Sequence, residues 1–157
     1  MDRMAHLWFL AVALAGAPLA AQSIGIYSEF QRLDSKGQIL AVDKAPRPRE
    51  ILSPAVIRNA YASFHVAVNV PKNLPFSLFV GQNPENVLRP TLYKVGWTAR
   101  GAAWWPDRLT PLTISADGKV ADAGPLLPGQ TAVAYLLDLW VPGDAPVERI
   151  RFELQLN

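Results

Sequence analysis

The sequence of 157 residues contains no cysteine, which excludes a disulfide framework, an iron–sulfur cluster, a thiolate zinc site and a thiol nucleophile. It also lacks a strong charge of either sign, because fifteen Lys and Arg residues against thirteen Asp and Glu leave a formal net charge of +2. That balance lacks the excess of basic residues that is typical of proteins that bind nucleic acid. Apolar residues make up 50% of the chain, but proline and charged residues interrupt them too often for a bundle of membrane spans.

The first 21 residues have the pattern of a secretory signal peptide. Arg3 precedes an apolar run at residues 7–17, and Pro18 and small residues follow. The run is shorter than the roughly 20 residues of a transmembrane helix, and its order predicts cleavage after Ala21. The alternative is an anchor that stays attached. Cleavage leaves one domain, residues 22–157, exported to the periplasm or the cell exterior and in contact with the membrane only during export.

The exported chain alternates apolar and polar residues and shows no sustained helical period. Ala62 to Val70 is the clearest case, because Phe64, Val66 and Val68 face one way while Ser63 and His65 face the other. The same pattern predicts further strands at Ile24–Phe30, Ile39–Val42, Pro75–Gly81, Arg89–Val95, Thr131–Val141 and Arg149–Leu156.

Turn signals separate these strands. Asp117-Gly118 lies between the short strands Leu112–Ser115 and Lys119–Ala121 and predicts a hairpin. Asn83-Pro84-Glu85 predicts a single helical turn, since it combines an N-cap residue with a proline at the first helical position.

Two segments before the first long strand are less regular. Ser53-Pro54 predicts either a helical turn or the start of a strand, and the proline-rich, charged segment Asp43–Glu50 predicts an extended connection. Seven to nine short strands with almost no helix predict an all-β, antiparallel β-sandwich.

Two stretches resemble the immunoglobulin-like accessory domains of secreted bacterial proteins, as found beside glycoside hydrolase catalytic domains. They are Arg58–Val70 (RNAYASFHVAVNV) and Gly129–Leu156 (GQTAVAYLLDLWVPGDAPVERIRFELQL). The shared features are a long strand that ends in Val-Pro, an Asp-Ala-Pro turn and an alternating last strand. The resemblance implies an immunoglobulin-like β-sandwich and a secreted context; it implies no hydrolase activity, because those domains are not the catalytic ones.

The residues that could support catalysis are few. His65 is the single histidine after residue 21, and its spacing from Ser63 on one strand is a poor nucleophile–base geometry. We interpret His65 as a surface or inter-strand residue. A pair of distant carboxylates remains an alternative that would make the chain a small hydrolase. The prediction is a protein that is not an enzyme and needs no metal or cofactor.

A cluster of aromatic and basic residues is the strongest candidate for a binding site. The segment YKVGWTARGAAWWPDR predicts a loop or a distorted hairpin, since Gly96, Gly101 and Pro106 interrupt it. Large aromatics and arginines are common at binding sites. An alternative is that one tryptophan plugs the open end of the sandwich. The candidate ligand-binding residues are Tyr93, Trp97, Arg100, Trp104, Trp105 and Arg108.

Leu136 and Trp140 point away from the predicted core stripe of their strand. Either the aromatic segment or a partner protein must cover them, and we favour the aromatic segment because it needs no second molecule.

Three functions follow in order of preference. The first is an exported, non-catalytic module for protein–protein or cell-envelope interaction with an unidentified protein partner. The second is a carbohydrate-binding module that binds polysaccharide through Trp97, Trp104 and Trp105. The third is the carboxylate-based hydrolase.

Overall fold

The computed structural model describes residues 22–44, 53–70, 75–121, 124 and 126–157. The predicted signal peptide, residues 1–21, and most of the predicted connection Asp43–Glu50 lie outside these residues. No helix in the described ranges is long and apolar enough to cross a membrane.

The protein is all-β, with strands in two antiparallel sheets. The larger sheet has the order β1-β2-β6-β4-β5 and the smaller one pairs β3 with β7. The strands are β1 (Ser23–Ser28), β2 (Ala60–Asn69), β3 (Leu78–Gln82), β4 (Arg89–Arg100), β5 (Ala103–Leu112), β6 (Ala132–Val141) and β7 (Glu153–Leu156).

One hydrophobic core joins the two sheets. Side chains directly opposite each other on paired strands share a face, so the pairing of Leu92 with Leu137 and of Leu137 with Phe64 gives one apolar surface across β4, β6 and β2. Leu78 of β3 and Leu154 of β7 belong to the same buried cluster. One buried cluster therefore takes side chains from both the five-stranded sheet and the β3–β7 pair.

The predicted Asp117-Gly118 turn is confirmed, and it extends the smaller layer. Ile114 and Val120 form a bridge on either side of the turn. The Val80 amide donates to the Gly118 carbonyl at 2.8 Å, and the Val120 amide donates to the Leu78 carbonyl at 2.8 Å. The hairpin therefore borders β3 and adds Val120 to the core.

The strands with the strongest alternation, β2 and β6, are confirmed almost to the residue. The predicted strands at Ile24–Phe30 and Pro75–Gly81 are confirmed as β1 and β3 with shifted ends. A single short turn does lie at the predicted place, Pro84–Asn86, but Glu85 and Asn86 have positive φ values of 53° and 52° and Asn83 makes no N-cap hydrogen bond, so the predicted right-handed helical turn is wrong.

Five further predictions differ from the structure. β4 continues five residues beyond Val95, where its predicted strand ends. The segment 103–108, for which the sequence predicts a loop or a distorted hairpin, belongs to the strand β5. Residues Ile39–Val42 do not form a strand, because they contain one bridge residue and a 3-10 turn. Ser53-Pro54 is neither helix nor strand. The last strand begins at Glu153, not Arg149, although Ile150 and Phe152 still pack against the core.

Residues 29–44 fold over one end of the larger sheet, on the side away from the core. A turn at Asp34–Gly37 places Gly37 so close to the sheet that a Cβ there would lie 2.8 Å from the Ala132 Cβ and 3.1 Å from the Ala67 Cβ. The small side chains of Ala67 and Ala132 leave the space that this contact needs. Arg32 and Asp43 hold the two ends of the segment together with an ion pair of 2.8 Å.

Candidate functional site

The β4–β5 hairpin carries all six predicted ligand-binding residues. Tyr93 pairs with Leu136 and Pro111, Val95 pairs with Leu109, and Trp97 pairs with Pro106. Leu92, which precedes Tyr93, is only 1% exposed and points into the core. Because side chains alternate along a strand, Tyr93, Val95 and Trp97 point to the opposite face of the sheet.

A β-bulge decides which of the two adjacent tryptophans shares that face. The pairing shifts between Gly96 and Trp97, which leaves Asp107 of β5 without a partner on β4. Beyond the bulge Trp104 pairs with Ala99 and Trp105 pairs with Thr98. Trp104 therefore points to the same side as Trp97, and Trp105 points to the other side.

We call Tyr93, Val95, Trp97, Trp104 and Leu109 the aromatic face. Leu109 is 49% exposed, and the other four are at least partly accessible. Trp97 and Trp104 are diagonal neighbours on adjacent strands, a separation of about 7–8 Å between backbones that lets large side chains touch. The register therefore groups these five side chains on one side of the hairpin.

The aromatic face continues across β6 and β2. Leu136 lies beside Tyr93 in the register, and further along the same side Trp140 contacts Tyr61 with ring centroids 4.8 Å apart and an interplanar angle of 55°. Tyr61 is 62% exposed. The prediction that the aromatic segment covers Leu136 and Trp140 is wrong, because β4 and β5 extend the sheet sideways instead of folding over it.

Trp105 lies in a different environment on the reverse side of the hairpin. It is 56% exposed and pairs with Thr98, whose hydroxyl donates to Asp107 Oδ2 at 2.8 Å. Arg108 lies across Gly96, where a Cβ would come within 2.8 Å of the arginine Cγ. These polar residues line a groove of about 570 Å³ whose far wall includes Leu127 and Gln130.

The six predicted residues therefore do not form one surface. Tyr93, Trp97 and Trp104 are on the aromatic face, and Trp105 and Arg108 are on the reverse side. Arg100 is exposed at the end of β4, next to the turn at Gly101. Neither Trp104 nor Trp105 belongs to the buried core cluster, so the alternative in which one of them plugs the sandwich is wrong.

The residues weighed for catalysis have other partners. The Ser63 hydroxyl donates to Asp138 Oδ1 at 2.6 Å, and the two lie opposite each other on β2 and β6. His65 packs under the segment 29–44, where burial is the main cause of a pKa below its usual 6.5. The Arg32 guanidinium lowers the pKa of the Asp43 carboxyl through a direct hydrogen bond.

Several carboxylates accept hydrogen bonds from neighbouring side chains. Asp107 accepts from Thr98, Asp138 accepts from Ser63, and Asp117 accepts from Ser115, which holds the pKa of the Asp117 carboxyl below its usual range. Within the described ranges, no three acidic or histidine side chains gather in a way that could hold a metal ion.

The chain matches no protein-family model and no curated protein.

Proposed function

We propose that this protein is an exported, non-catalytic binding module with an immunoglobulin-like sandwich fold, and that it docks a partner protein through the aromatic face. The observation that carries the proposal is the grouping of Tyr93, Trp97, Trp104 and Leu109 on one accessible side of the β4–β5 hairpin. The core shared by the two sheets supports the sandwich assignment, and the pattern of residues 1–21 supports export.

The chemistry of the aromatic face favours a protein over a sugar as its ligand. The residues that surround Trp97 and Trp104 in the register are Val95, Ala99 and Pro106, whose side chains carry no hydrogen-bonding group. The aromatic face itself offers only the Tyr93 hydroxyl and the two indole N–H groups, so most hydroxyls of a sugar stacked there would lose water without gaining a partner. An apolar surface of a protein has no hydroxyls to desolvate, so its binding avoids this cost in free energy. Aromatic residues are also enriched at the buried centres of protein interfaces.

A matched set of variants tests this proposal. The full chain is immobilised and exposed to a cell-envelope extract of the source organism as wild type, as Trp97→Ser with Trp104→Ser, and as Trp105→Ser. We expect a discrete protein to be retained by the wild type and by Trp105→Ser, and its recovery to fall about tenfold or more in the double variant, since buried tryptophans are common hot spots. Equal recovery from all three proteins would contradict the proposed surface.

Carbohydrate binding is a second candidate function, and one observation favours it. Trp105 is exposed beside Thr98, Asp107 and Arg108, so a ring that stacks on the indole would find hydrogen-bonding groups next to it. Affinity electrophoresis across a panel of polysaccharides tests this candidate. We expect any retardation to disappear in Trp105→Ser and to persist in the Trp97→Ser/Trp104→Ser variant; the opposite result would move the sugar to the aromatic face.

A further inference from the structure

An apolar cleft of about 350 Å³ opens on the core side of the larger sheet, opposite the aromatic face. Its floor is formed by β2 and β6, and its other walls are formed by residues 53, 54 and 56 and by residues 146, 148–150 and 152. The apolar lining includes Val56, Ala62, Phe64, Leu137, Leu139 and Phe152, and the polar lining consists of Ser53, Glu148 and Arg149.

The cleft exists because the smaller sheet is too short to cover this end of the core. β7 begins at Glu153, so residues 146–152 approach the sheet as loop. Hydrogen bonds hold the surrounding backbone in place: the Arg58 Nε donates to the Ala145 carbonyl at 2.7 Å, and the Asn59 amide donates to the Val141 carbonyl at 2.8 Å. These bonds tie the backbone before β2 to the turn that follows β6, beside the cleft.

The lining determines what kind of molecule the cleft can hold. Phe64, Leu137 and Leu139 are buried at its base, so an occupant would mainly contact the partly exposed side chains of Val56, Val141 and Phe152. An apolar cavity of roughly 150 Å³ holds a benzene ring, and a cavity of about 350 Å³ therefore has room for about ten to twelve carbon atoms. Sites of this size with an apolar lining and a few polar groups are typical of small-molecule binding.

The polar residues indicate the head group. Arg149 is exposed and forms no ion pair or hydrogen bond with any residue that the structure describes. Together with the Ser53 hydroxyl it offers donors to an anion, while Glu148 would repel the same anion.

We propose that the cleft binds a free single-chain carboxylate of about ten to twelve carbons, with its chain against the partly exposed Val56, Val141 and Phe152 and its carboxylate beside Arg149. This site is independent of the proposed function, because it lies on the other side of the sheet from the aromatic face. A variant of this protein could therefore lose carboxylate binding in the cleft and keep partner binding at the aromatic face, or the reverse.

Calorimetry with decanoate, below its micelle concentration, tests the apolar part of the site. Val56→Trp places a large ring in the cleft, whereas Val147→Trp makes the same change at a side chain that is 92% exposed and outside the lining. We expect Val56→Trp to weaken decanoate binding by about tenfold or more, since a ligand that can no longer bury about two of its methylene groups loses that much affinity. We expect Val147→Trp to leave decanoate binding unchanged. Absence of binding to the wild type, or equal binding by both variants, would overturn the proposal.

Methyl NMR of the wild type gives a readout that does not depend on a variant's folding. Decanoate should shift the resonances of Ala62, Val141 and Leu139, which line the cleft, and leave that of Val147 in place. Shifts confined to residues outside the lining would contradict the assigned site.

The head group is tested by comparing decanoate with decanol. Arg149→Gln should weaken decanoate binding by about two- to fivefold, the range expected for an exposed ion pair, and Glu148→Gln should strengthen it, while neither change alters decanol binding. An identical response of both ligands would overturn the carboxylate assignment. Binding to phosphatidylglycerol vesicles without binding of free decanoate would show that a bilayer lipid, and not a free amphiphile, is the ligand.

Discussion

Single residues fix the position of the segment that covers one end of the larger sheet. Gly37 approaches Ala67 and Ala132 so closely that only a residue without a side chain fits there, and its φ of 74° is in the region that glycine adopts freely. Asp34 Oδ1 accepts hydrogen bonds from the amides of Lys36 and Gln38 at 2.8 and 2.9 Å, which shapes the same turn. His65 is half-buried beside this segment.

His65 should make the stability of the protein depend on pH. The charged and titratable groups that face it are Glu29, Arg32 and Asp43, and burial outweighs the groups that raise its pKa. The folded-state pKa of His65 is below the unfolded value of 6.5. The neutral imidazole therefore contributes fully to the free energy of unfolding above pH 6.5, and this contribution is lost as the pH falls through the folded-state pKa.

Urea unfolding at about pH 7 and about pH 5 measures this effect. We expect the free energy of unfolding to decrease over that range in the wild type and to decrease less in His65→Gln. Asp43 does not interfere, because its pKa is lowered from 3.8 and its contribution is lost only at more acidic pH. Equal decreases in the two proteins would show that His65 is not the group responsible.

Gly118 provides a second test at the residue scale. Gly118 and Gly129 have nearly the same φ, 82° and 84°, but a Cβ at Gly118 would lie 2.7 Å from the Val80 carbonyl oxygen, whereas at Gly129 it would meet nothing within 4 Å. Both changes to alanine should cost about 1–2 kcal/mol for the left-handed backbone, and Gly118→Ala should cost more because it also disrupts the contact of the hairpin with β3. Thermal unfolding of the two variants gives the comparison, and an equal loss would contradict the clash.

At the scale of elements, the β4–β5 hairpin is the part of the fold with the most distinctive construction. β5 is an edge of the larger sheet and is exposed along most of its length. Pro106 and Pro111 lack the N–H that a further strand would need, and the bulge at Asp107 interrupts the regular edge. We expect both proline rings to face the open edge, where they prevent another chain from pairing.

Replacing both prolines tests this role. Pro106→Thr with Pro111→Thr restores two backbone donors on the edge, so we expect concentration-dependent self-association that the wild type lacks. Ala103→Thr, on the same strand, adds a threonine without adding a donor and serves as the control. Sedimentation velocity at several concentrations measures the difference, and a monomeric double variant would show that the prolines do not protect this edge.

The elements that the sequence predicts well are those with a buried face. Phe64, Val66 and Val68 alternate with polar residues because one side of β2 packs in the core, so the period is visible in the sequence. β5 has no comparable pattern, because it is solvent-exposed and nothing selects for alternation. Simple alternation counted back from Leu112 would place Trp104 on the core side, and the bulge at Asp107 reverses that assignment.

At the scale of the whole molecule, the larger sheet carries a different surface on each side. The aromatic face lies on one side, and the core with its open cleft lies on the other. The aromatic residues could be identified from the sequence as a cluster, whereas their division between two sides depends on strand pairing. The cleft could not be predicted, because it arises from the late start of β7 at Glu153. In the sequence, the alternation of Ile150 and Phe152 with polar residues indicates a strand that starts earlier.

The central claim, that the aromatic face contacts a partner protein, is tested most directly by site-specific photo-cross-linking. A photoreactive amino acid is placed at Leu109, which is 49% exposed on the aromatic face, and in a second protein at Val147, which is 92% exposed and outside that face. We predict that in a cell-envelope extract the probe at residue 109 cross-links a discrete protein and the probe at residue 147 does not. The same cross-linked products from both positions, or none from residue 109, would contradict the account.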